Sequence, residues 1–132
     1  MTVKVLWFFV LVYGLMGLAG ILFPVMERKL VTTFTRRNPV RILGLSLVFL
    51  GIVLFVMADA TAWKKFVQVM GVLNVIAGGV NLLLPDTMVV VNEAWIDCSN
   101  LWHRVTGLAY LVVAYLFYVA ASVPPPPLPD TL

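Results

Sequence analysis

Charge is scarce in this chain of 132 residues: Asp, Glu, Lys and Arg together make up 11%, against about 25% in soluble domains. One cysteine, Cys98, excludes an intrachain disulfide and a multi-cysteine metal site. One histidine, His103, excludes a haem held by two histidines of a single chain. Nine basic residues against six acidic ones give a formal charge of +3. No Lys/Arg-rich run interleaves with aromatics, so the excess argues for anionic lipid headgroups and against nucleic acid. The sequence has no serine or cysteine elbow, no phosphate-cradling glycine loop and no acidic cluster for a metal. On these absences the expected reading is a non-enzymatic protein with no cofactor and no metal.

What is abundant is apolar. Hydrophobic residues reach 62% and the mean hydropathy is +1.04, more apolar surface than a small soluble domain can cover, since such a domain still exposes about a third of its chain area. Four stretches, Val3–Phe23, Val40–Met57, Ala62–Leu84 and Leu101–Ser122, each approach the ~20 residues that a helix needs to cross the hydrocarbon. None alternates like a barrel strand, so the fold class is all-α, a polytopic membrane protein with four transmembrane helices. The first stretch runs to Phe23-Pro24 without a convincing small-x-small cleavage site, and reads as a retained span rather than a signal peptide.

Punctuation sets the boundaries. Pro24 and Pro85 close the first and third spans, and Asn38-Pro39 precedes the second. Asp59-Ala-Thr61 offers an N-cap for the third, with Trp63, Lys64 and Lys65 as interface anchors. Residues 124–132 carry four consecutive prolines and form an extended proline-rich tail, either solvated or a docking strand for a partner.

The two halves repeat one another. Gly17 precedes Pro24 by seven residues as Gly78 precedes Pro85; Arg41 and Gly44 then open one span as Arg104 and Gly107 open another. Between them lie amphipathic segments, with Met26, Leu30 and Phe34 on one face in the first, and Met88, Val91 and Trp95 in the second. The expected organisation is therefore two tandem span–interfacial helix–span repeats, 1–60 and 61–123, in the same membrane orientation. On these eight positions the chain resembles, twice over, the small two-span bacterial inner-membrane proteins of unknown function typified by YjeT. The resemblance implies a bacterial inner-membrane location and supplies no catalytic residue.

Polar patterning gives the candidate sites. Gln68, Gly71, Asn74, Gly78 and Asn81 follow spacings of three or four on the third span, so they share a face that should avoid lipid. That stripe serves either as helix–helix glue, with amides bonding across and glycines allowing close approach, or as a solute path. Gly14, Gly17 and Gly20, then Gly44 and Gly51, then Gly107, Ala114 and Ala121, mark matching faces on the other spans. Arg41 and Arg104 stand where a side chain can snorkel to phosphates or pair with an acid, Glu27 for the first and Glu93 or Asp97 for the second. Arg28, Arg36 and Arg37 join them as candidate anionic-phospholipid ligands. His103 with Asp97, Glu93 and Cys98 matches no metal spacing and reads as an interfacial histidine satisfied by headgroups or backbone.

Six basic residues fall on the linker side and three on the other, so the linkers are expected in the cytoplasm and the termini outside. The functional expectation is a subunit or scaffold in a larger integral membrane complex; the alternative is a small homo-oligomeric channel or transporter using the polar stripe.

Overall fold

The computed structural model describes residues 2–124, and of the tail expected over 124–132 all but Pro124 lies outside the described residues. Of the long helices α1 (Thr2–Leu22), α3 (Arg37–Met57), α4 (Lys64–Leu83) and α6 (Asn100–Ser122), the first two are joined through the short α2 (Pro24–Thr32) and the last two through the short α5 (Pro85–Ile96). The four long helices are each long and apolar enough to cross a membrane; at 1.5 Å per residue, 21 residues reach roughly 31 Å.

The two long-to-short junctions are built alike. Phe23 (φ −134°, ψ 64°) and Leu84 (φ −126°, ψ 55°) leave the helical region because the residue before a proline clashes with its ring there. The proline then takes the first position of the next helix, where it has no intrahelical donor to lose. Phe23 N–H still bonds Ala19 O (2.9 Å) and Leu84 N–H bonds Val80 O (2.8 Å), so each chain turns without orphaning its backbone. Pro24 and Pro85 are both buried. Prolines read as span terminators therefore also start the short helices.

The expected cap on the third span is corrected. Thr61 Oγ1 donates back to Ala58 O (2.8 Å) across a short 3-10 turn, and the residue that precedes α4 is Trp63, whose side chain makes no capping bond.

Tight packing joins α1 to α6 and α3 to α4. Glycine sets both seams. A Cβ built on Gly17 would meet Gly107 O at 2.8 Å and one on Gly107 would meet Gly17 O at 2.7 Å; the same reciprocity holds for Gly44 with Gly78 and for Gly51 with Gly71. Backbones this close are held by dispersion and Cα–H···O contacts that a larger residue would block. Gly14, expected on such a seam, has nothing within 4 Å of its Cβ position.

The far end of the bundle, away from the short helices, is filled by side chains. Phe117 is fully buried among Leu6, Phe9, Leu54, Val67 and Ala120. Its ring stacks on Phe9 at 5.2 Å and meets Phe66 edge-on at 5.0 Å, arrangements that aromatic quadrupoles favour.

Candidate functional site

The opposite end is different: α2 and α5 lie together over the mouths of the long helices, and polar side chains stitch them in place. Arg28 on α2 donates from Nε to Ile96 O (3.2 Å) and from Nη2 to Cys98 O (2.7 Å). Ile96 O ends α5 and Cys98 O lies just beyond it, where a cation also meets the negative end of the helix dipole. In return Asn92 Nδ2 on α5 donates to Phe34 O (2.8 Å), just beyond α2.

Beneath them sits a buried acid–histidine pair. His103, in the first turn of α6, is 0% exposed, and its Nδ1 lies 3.1 Å from Glu27 Oε2, a carboxyl whose side chain is 13% exposed. Its Nε2 donates to Trp95 O at 3.0 Å. A carbonyl only accepts, so Nε2 carries a proton, and one further proton joins Nδ1 to Oε2. Counted this way the pair is neutral as a whole, which is the inexpensive way to bury it. The Trp95 indole tilts against the imidazole at 4.4 Å between centroids. Gly20 makes the room: a Cβ there would stand 2.9 Å from His103 O and 3.2 Å from Glu27 Oε2.

A cavity of about 410 Å³ adjoins this pair, between the two helix seams and under α2 and α5. Its wall is mainly apolar, with aromatic rings from Phe34, Trp95 and Tyr110 and polar groups from Glu27, Asn81 and Asn92.

Several sequence expectations are corrected here. Glu27 pairs with His103 and not with Arg41. His103 meets a backbone carbonyl, Trp95 O, as one of its two expected kinds of partner, and the Glu27 carboxyl in place of headgroups. Arg28, expected on lipid phosphate, has its guanidinium on the α5 carbonyls. Gly71, Asn74, Gly78 and Asn81 are buried along α4, and the amide nitrogens turn to their own helix: Asn74 Nδ2 donates to Met70 O (2.8 Å) and Asn81 Nδ2 to Ala77 O (2.7 Å), each four residues back. A short polar side chain finds its own turn before it finds a neighbour.

Gly44 and Gly107 lie buried in the seams. Arg36, Arg37, Arg41 and Arg104 are exposed, and among them only Arg37 has an acidic neighbour among the described residues, Asp86 at 3.8 Å. Glu93 and Asp97 are exposed and take no part in an ion pair among the described residues. No group of three or more His, Cys, Asp or Glu is placed to hold a metal among the described residues.

No protein-family profile matches the chain, and no curated protein or solved structure is similar to it.

Proposed function

We propose that the chain is a non-enzymatic integral membrane subunit or scaffold that packs within a larger membrane protein complex. The observation that supports this reading is where the polar side chains are spent. The amides of Asn74 and Asn81 bond their own helix beside glycine seams, and Arg28, Asn92, Glu27 and His103 tie the short helices to the bundle. Polar groups committed to internal closure hold a rigid body. The remaining surface is broad and apolar, with Trp7, Phe49, Phe55 and Tyr115 all exposed, and in a bilayer such a face serves lipid or a neighbouring subunit.

In this reading the chain is a tandem duplication of a span–interfacial helix–span unit, 1–60 and 61–123, in a bacterial inner membrane. Both short helices lie on the cytoplasmic leaflet with the termini outside, following the excess of basic residues around the linkers. Arg36, Arg37, Arg41 and Arg104 are left to contact anionic phospholipid, at up to ~1 kcal/mol per basic residue near the surface.

Extraction from native membranes into polymer-bounded lipid discs, followed by native mass spectrometry, tests the reading. A stoichiometric protein partner is the expected result. A lone homo-oligomer that passes solute in liposomes overturns it in favour of a channel. Charge reversal of Arg36 and Arg37 should strip anionic lipid and leave the partner bound; loss of the partner with lipid retained reverses that assignment.

A further inference from the structure

The cavity under α2 and α5 has a chemistry of its own. Asn81 and Asn92 each turn the amide nitrogen to a backbone carbonyl, Ala77 O and Phe34 O. Since carbonyls only accept, the amide orientation is fixed and the amide oxygen is the end left over. Asn81 is 5% exposed, yet no buried side-chain nitrogen or oxygen among the described residues lacks a partner; its oxygen therefore reaches open space, and the space its residue lines is this cavity. Glu27 engages His103 through Oε2, leaving Oε1. Three acceptors of this kind favour an occupant that donates hydrogen bonds.

Charge narrows the class. The Glu27–His103 pair is neutral as a unit, and the rest of the wall is amide, hydroxyl and hydrocarbon, so a buried cation would lack a counter-charge. Shape narrows it again, because Phe34, Trp95 and Tyr110 offer ring faces and edges to a flat group. The volume is within the usual range for a small-molecule site. Met16 and Leu30 line the cavity and are also exposed on the outer surface, so it opens on the flank of α1 and α2 where a bilayer chain would enter.

We infer that this cavity binds an uncharged amphiphile with a hydroxylated aromatic ring, its hydroxyl donating to the Asn81 amide oxygen and its apolar tail leaving between Met16 and Leu30. This holds independently of whether the chain is a subunit of a larger complex.

The test uses the full chain in phosphatidylcholine nanodiscs and para-octylphenol with a diazirine on the first chain carbon. Saturable photolabelling is expected on α2, α5 or the first half of α6, read by peptide mass spectrometry. Unlabelled para-octylphenol should compete, and para-octylanisole, which has the same shape but no donor, should compete about tenfold more weakly, the factor that one lost hydrogen bond sets. Asn81→Leu should erase that difference while helix content stays unchanged; if Asn81→Leu fails to fold, the phenol–anisole comparison on the unsubstituted chain decides alone. Equal competition by the anisole overturns the donor argument. Stronger competition by octyltrimethylammonium overturns the charge argument. Labelling that does not saturate and spreads over the outward faces of the long helices overturns the site itself.

Discussion

Adding one methyl group at Gly78 is the sharpest perturbation this fold allows. Its Cβ would stand 2.5 Å from Gly44 O, and 2.7 Å from both Val48 N and Val48 Cγ2. Two of these are backbone atoms, which no rotamer change can move. Restoring ordinary contact at 3.4 Å from the carbonyl requires 3.4 − 2.5 = 0.9 Å of separation between α3 and α4. A shift of that size along a tightly packed interface costs about 1–3 kcal/mol, and it also loosens the neighbouring Gly51–Gly71 contact. The adjacent residue supplies the control. Gly79 has nothing within 4 Å of its Cβ position, so Gly79→Ala adds only helix propensity, worth up to ~1 kcal/mol in an aqueous helix. Reversible unfolding in mixed micelles, followed by circular dichroism, should show Gly78→Ala destabilised and Gly79→Ala unchanged or more stable. Equal behaviour of the two variants would refute the seam.

Three further outcomes follow from particular contacts. Arg28→Gln should free the carbonyls of Ile96 and Cys98, costing about 1.5–3 kcal/mol for charge-assisted bonds; faster amide exchange confined to α2 and the α5–α6 turn is the expected signature, and unchanged exchange there would count against it. Glu27→Gln keeps an acceptor for His103 Nδ1, whereas Glu27→Leu leaves that buried nitrogen unpaired at about 1–3 kcal/mol, so the leucine variant should melt lower; identical melting temperatures would mean the pair contributes nothing. Phe117→Ala should cost about 3–5 kcal/mol as a fully buried ring, while Phe49→Ala, 65% exposed, should change thermal stability little in lipid discs; similar losses would show that the far-end cluster is no core.

What the sequence made legible is what is encoded locally. Hydropathy over ~20 residues marks a span, and a proline acts on the residue beside it, so the four crossings and the two junctions at Phe23-Pro24 and Leu84-Pro85 could be read directly. Glycine spacing placed Gly44, Gly78 and Gly107 on helix faces, because one helix fixes which of its own residues line up. Which helices those faces meet is another matter. Gly17 meets Gly107 and Gly44 meets Gly78, pairings that depend on how the crossings assemble and carry no local signature. The same limit produced the errors in the site. Spacing along the chain offers Glu27 to Arg41 and Glu93 or Asp97 to Arg104, and leaves His103 to headgroups or backbone, whereas the contact made joins residues 76 apart. One signal did exist. His103 is the only histidine in the chain and stands within the first turn of a span, where a titratable group needs a partner from elsewhere in the bundle. Glu27 is the only acid of the first short helix. Two lone titratable groups on the same side of an apolar protein are drawn together because each is costly to leave unpaired, and Gly20 provides the space in which they meet.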